Sequence, residues 1–158
     1  MGEKKSFANP EITVHHELAQ WASDCAERTL HLFEELHSDD YRPRLAIDTL
    51  RAWIRNEKTM VECRQAAFSA HDAARGVEEP QAIAAARACG QAAGVAHMYT
   101  HCPNAADYAI KAIGLSVSKN EAETAKTAER DWQWNHLRDG LRYIGFPGSK
   151  SGSAKIKI

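Results

Sequence analysis

HHELAQWASDCAERTLHLFEELH, running from His15 to His37, decides how the rest of the chain is read. Within it Leu18, Trp21, Ala22, Cys25, Leu32, Phe33 and Leu36 recur at steps of three and four. That spacing lines them up along one stripe of an α-helix, the stripe that turns toward an interior. The helix begins at about Glu11 or His15, and Ser38, Asp39 and Asp40 close it and offer caps for the next segment. Glu17, Asp24, Glu27 and Glu34 fall within about 100° of one another on the side away from the apolar stripe.

Five further helical segments follow. Pro43 sits in the first turn of a second helix reaching about Asn56, where its missing N–H costs nothing. Thr59-Met60-Val61-Glu62 is a capping box that opens a third helix, stopped by Gly76. Glu79-Pro80 opens an Ala-rich fourth helix expected to continue to about His101. Pro103 then breaks the chain, and Asn104 is positioned to cap a fifth helix to about Leu115. A second box, Ser118 to Glu121, starts a sixth helix expected to pass through Trp132, Leu137 and Leu141 to about Ile144. Strand signals are nearly absent. The expected fold is all-α, one bundle of about six helices over residues 11–145, with flexible segments at 1–10 and 146–158. The closing residues, rich in Lys, Gly and Ser, carry too little apolar content to fold alone.

The 158 residues suit one domain and bury enough surface to need no covalent staple. A formal net charge of −1 gives no electrostatic footprint for nucleic acid. No apolar run is long enough to cross a bilayer, and no apolar core follows Lys4 and Lys5 to make a secretory signal. A cytoplasmic location is the expectation, with Cys25, Cys63, Cys89 and Cys102 as reduced thiols.

The histidines are the first candidates for chemistry. His97 and His101 stand four apart, a spacing that on one helix lets two imidazoles share a zinc ion; His71 and Cys102 are further candidate ligands. The alternative is that these rings pack between Ala-rich helices. The segment Cys63 to His71 echoes Cys89 to His97 at Cys, Gln, three Ala and His. Cys and His eight apart on one helix are separated by about 12 Å of rise, so only a cross-helix pair could make a nucleophile. No P-loop, GxGxxG or GxSxG occurs, and the chain is not expected to be an enzyme. Gly90 and Gly94, with Ala86 and Ala93, look like small residues that let helices approach closely. The acidic face of the first helix is either a solvated surface or a docking surface for a basic partner. Arg42 and Arg44 are basic counterparts. Trp134 lies off the face that holds Trp132, and is either an interface anchor or a ring packed under a neighbouring loop.

Several blocks in this order resemble a known family. They are WASDCAER from Trp21, DYRPRLAI from Asp40, RAW from Arg51, AHDAAR from Ala70, GQAA from Gly90, HMYTH from His97 and ERDWQ from Glu129. Over about Leu18 to Leu141 the chain is similar to small all-α immunity proteins of bacterial polymorphic-toxin systems. The resemblance implies a cytoplasmic protein that binds and blocks a cognate protein toxin, with His71, His97, His101, Arg42 and Arg44 as candidate residues. The acidic first helix would be one contact. Two other readings stand beside it. One is a bundle binding a metal or small ligand through His71, His97 and His101. The other is a homo-oligomer joined through Ala/Gly helix faces, with Trp134 in the contact.

Overall fold

A computed structural model describes residues 8–148. Among them are seven α-helices and no strand: α1 (Ile12–Glu34), α2 (Arg42–Ile54), α3 (Met60–Arg75), α4 (Pro80–Gly94), α5 (Cys102–Leu115), α6 (Lys119–Asn135) and α7 (Arg142–Gly145). Short 3-10 turns lead into α5 (Tyr99–His101) and α7 (Asp139–Leu141). The segments 1–7 and 149–158, expected to be flexible, lie outside the described residues. Ala8 to Pro10 and Phe146 fall inside, and two of them are anchored. Asn9 Nδ2 donates to the His97 carbonyl at 3.0 Å while its Oδ1 accepts from the Tyr99 N–H at 2.9 Å. Phe146 is buried against Trp21 and Trp134.

The centre of the bundle is α4, which packs on α1, α2, α3 and α5. Ala82, Ala84, Ala85, Ala86, Ala88, Cys89, Gly90, Ala92 and Ala93 are all buried, so the helix is covered nearly all round. A helix with apolar residues on every side belongs in an interior rather than at a surface. The bulk that methyl groups cannot supply comes from neighbours: Leu18, Trp21, Leu30 and Phe33 of α1, with Ile47 and Leu50 of α2. The Ala/Gly faces read as a route to self-association are therefore already spent within one chain.

Local signals explain several boundaries. The Thr59 hydroxyl accepts from the Glu62 N–H at 3.1 Å, and Glu62 answers on the Thr59 N–H at 3.2 Å, completing the expected box at α3. Ser118 occupies the N-cap of α6, but its side chain makes no capping bond. Asn104 lies inside α5, which starts two residues earlier. Two helices are shorter than expected. α4 ends at Gly94 because His15 Nε2 captures the Val95 carbonyl and Asn9 captures that of His97, replacing helical bonds with tertiary ones. α6 ends at Asn135, where the His136 ring donates to the Trp132 carbonyl and Arg142 Nε donates to that of Trp134.

The acidic side of α1 is not an open ridge. Arg51 of α2 bridges Asp24 at 2.9 Å and Glu27 at 2.5 Å, Arg44 bridges Glu27 at 3.2 Å and Glu34 at 2.7 Å, and Arg138 reaches Glu17 at 2.9 Å. The acidic face expected to meet solvent or a partner is thus half-exposed and internally paired, because Arg44 and Arg51, seven apart on α2, present two guanidinium groups that share Glu27. Arg42 is likewise engaged by Asp40. Its guanidinium, bonded side chain to side chain, holds Asp40 below the ordinary carboxylate range.

On the far side, α6 is tied on by polar bonds. Arg28 makes a two-bond fork with the buried Glu129 at 2.6 and 3.0 Å. The fully buried Gln133 donates to the Ala106 carbonyl, accepts from Arg130, and through its backbone carbonyl accepts from the Trp21 indole. Every hydrogen-bonding atom of that side chain's amide oxygen and nitrogen has found a partner, which is what its burial requires. Trp134 is only 8% exposed, under Phe146 and the Arg142 guanidinium. It is the half-buried Trp132 that meets solvent, between Arg28 and the His136 ring.

Replacing Arg51 by Met should lower the unfolding free energy by about 1–2 kcal/mol, because charge-assisted bonds to two half-exposed carboxylates are lost. Urea titration would read it, and the loss should shrink in 1 M NaCl. A variant as stable as the parent would show that the α1–α2 seam contributes nothing.

Candidate functional site

The glycines of α4 have a use beyond close helix packing. A methyl group placed on Gly90 would lie 2.6 Å from Cε1 of His71, so the imidazole rests directly on the α4 backbone. One at Gly94 would lie 3.3 Å from the ring of His101. Two histidines from different elements, one on α3 and one on the turn before α5, thus use the two gaps left by Gly90 and Gly94. Between them opens a cleft of about 200 Å³, lined by Arg64, Ala67, Phe68, His71, Gly90, Gln91, Gly94, His97 and His101.

The echo in the sequence explains its shape. Aligning Cys63–His71 with Cys89–His97 sets Arg64 against Gly90 and Phe68 against Gly94. Where α3 carries bulk, α4 carries none, and α3 packs on α4. All four residues, together with both echo histidines, line the cleft. The two echo cysteines point the other way, into the core.

The hydrogen bonds define the protonation of each ring. Arg87 NH1 lies 2.9 Å from His71 Nδ1. A guanidinium only donates, so Nδ1 accepts and the proton of the neutral ring sits on Nε2. Burial, then the positive charges of Arg87 and Arg75 and the nearby His101, push the His71 pKa down to about 4, against a smaller upward pull from Asp72. His101 Nδ1 lies 2.9 Å from the Gln91 Oε1, which also accepts from Asn104. His101 therefore carries its proton on Nδ1 and turns a lone pair at Nε2 outward. Burial, followed by His97, lowers its pKa as well. At neutral pH the cleft offers one N–H donor and one imidazole acceptor rather than two charged rings.

The expected metal set is only partly assembled. His71, His97 and His101 reach the same cleft, across three elements instead of along one helix. Cys102 does not join them: it is fully buried in the core, and burial pushes its thiol up to about 12. Cys63 is raised to about 12 for the same reason, and Cys25 and Cys89 are raised too. Buried protonated thiols are poor nucleophiles and poor metal ligands. Among the described residues no group of three or more His, Cys, Asp or Glu side chains is placed to hold a metal ion.

A family model described as "Imm-5 like putative immunity protein" matches residues 9–140. The chain belongs to that family. No curated protein matches it, and no solved structure does. Within this Imm-5 like chain the blocks that carry the resemblance divide into two groups. Arg44, Arg51, Glu129 and Gln133 hold helices together through ion pairs and hydrogen bonds, while Asp40 pairs with Arg42 at the start of α2, where Pro43 is buried. His71, Gly90, Gln91, His97 and His101 instead gather round the cleft. Arg64, Phe68 and Arg87 were not foreseen. The signal for Arg87 was available, since it is the one charged residue in the whole of α4.

Folding costs His71 its proton, so stability should fall as pH drops from 6.5, where the open chain begins to protonate, toward 4. The slope from this residue is at most about 1.4 kcal/mol per pH unit, reduced by solvent reaching the half-open site. His71→Gln keeps an acceptor for Arg87 and should flatten the profile of urea midpoints between pH 7.5 and 5. Parallel profiles for parent and variant would contradict the assignment.

Proposed function

We propose that this protein is an immunity protein that neutralises a cognate bacterial toxin by stoichiometric binding in the cytoplasm of the cell that makes it. The observation that carries the reading is the family match, which spans α1 through α6 rather than a short motif. The chemistry is in keeping with it: the thiols are buried and protonated, and burial holds His71 and His101 of the cleft neutral. No helix among the described residues is long and apolar enough to cross a membrane.

A binding role needs a surface that can exclude water from a partner. The outward side of α3 has the required character, with Val61 and Phe68 at 56% and 58% exposure on one stripe and Arg64 between them. Leu45 of α2, beside Gln65 and Ala66 of α3, adds exposed apolar area. Arg with aromatic and aliphatic side chains is the composition in which binding energy concentrates at protein interfaces. The carboxylates of α1, in contrast, are already paired.

Co-expression with the product of the adjacent gene tests the reading. The protein should restore growth to cells making that product and co-purify with it as a 1:1 complex by light scattering. Undiminished toxicity at a molar excess of this protein would contradict it, as would protection at amounts far below one copy per toxin, which would indicate turnover.

A further inference from the structure

Charge pairing singles out one place on the molecule. Every arginine among the described residues lies within ion-pair distance of a carboxylate except two, Arg64 and Arg87. Arg87 instead spends a donor on His71, and Arg64 reaches only the face of Phe68, 5.8 Å from its centroid. Both belong to the histidine cleft: Arg64 lines it and Arg87 stands behind His71. Both carboxylates of α3 are already engaged, Asp72 by Arg75 at 2.6 Å and Glu62 by Lys58 at 3.1 Å. In a chain whose formal net charge is −1, one guanidinium group without a counterion lines the cleft and a second is bonded to a histidine that lines it.

The donors there match a particular guest. Arg87 fixes the His71 proton on Nε2, and that N–H has no protein acceptor, nor is it sealed from solvent. Arg64 supplies a fork of N–H groups at the rim. A planar anion with two oxygens can accept from both, and such charge-assisted bonds are the strong ones. Ala67 and Phe68 give an apolar wall for the methylenes that would carry the anion. A cleft of about 200 Å³ admits one side chain, not a chain segment.

We propose that the cleft between α3 and the end of α4 receives a glutamate or aspartate side chain of the bound toxin, held by Arg64 and the Nε2–H of His71. His97 and Gln91 border the guest, and Arg87 acts through His71 as a positioning residue. The inference rests on the immunity reading for the identity of its occupant, while the preference for a carboxylate rests on the cleft alone.

The two are separable by experiment. Capped glutamate (N-acetyl-glutamate α-methylamide) titrated into the full-length protein should shift the His71 and Arg64 side-chain NMR signals saturably. Capped glutamine at equal ionic strength should not. Arg64→Gln, an exposed substitution on a helix surface, should weaken glutamate binding about fivefold or more. Equal responses to the two probes, or unaltered binding in Arg64→Gln, would overturn the cleft as a carboxylate site. Arg64→Glu, folded like the parent by circular dichroism, should lose protection in the co-expression assay. If the parent protects and Arg64→Glu protects equally, the cleft is not the toxin's contact and the immunity reading stands. If glutamate binds but the parent gives no protection, the immunity reading fails and with it the toxin as occupant.

Discussion

Helix α4 can have four helical neighbours because the side chains it buries are those of Ala, Gly and Cys. Helix axes approach to a distance set by the residues at the contact, and Ala and Gly set the shortest. The arrangement divides labour between the helices. α4 contributes little apolar area of its own but lets α1, α2, α3 and α5 close round it, and the large buried side chains of α1 and α2, Leu18, Trp21, Leu30, Phe33, Ile47 and Leu50, supply the bulk. Such a core has no spare volume, so added methylenes on α4 meet backbone or neighbouring rings rather than space.

That same economy creates the cleft. Where α4 drops from Ala to Gly, imidazoles occupy the difference, and the rings are oriented by Arg87 and Gln91 from the same helix. Structure and candidate site are consequently one construction: the residues that permit close packing also seat the histidines. Around the outside, polar clamps set the order of the helices. The α1–α2 seam fixes two consecutive helices and the Arg28–Glu129 fork joins elements distant in sequence, and a fork of two bonds fixes orientation as well as proximity.

The fold was legible where local rules govern. The stripe of α1, the proline in the first turn of α2, and the capping box of α3 all lead from sequence to the observed helices. Legibility failed where a partner from elsewhere in the chain intervenes. α4 and α6 stop short where His15 and Asn9 take the carbonyls of Val95 and His97 just past α4, and Arg142 takes that of Trp134 in the last turn of α6, and nothing near Gly94 or Asn135 in the sequence announces those bonds. The acidic face of α1 had a clear pattern, but only the packing showed that Arg44 and Arg51 of α2, with Arg138, pair its carboxylates. For the site, His71, His97 and His101 were recognisable as chemistry. The geometry attached to them was mistaken, since they meet across elements and not four apart on one helix, and Cys102 faces the core.

The claim most exposed to direct test is that the two gaps in α4 dictate how His71 and His101 hold their protons. Long-range nitrogen–proton NMR spectra of the imidazoles at pH 7 read this without any variant. Opposite neutral tautomers are expected, with the proton on Nε2 in His71 and on Nδ1 in His101. The same tautomer in both rings, or signals averaged between the two forms, would mean that α4 does not seat them, and the cleft would lose its physical basis.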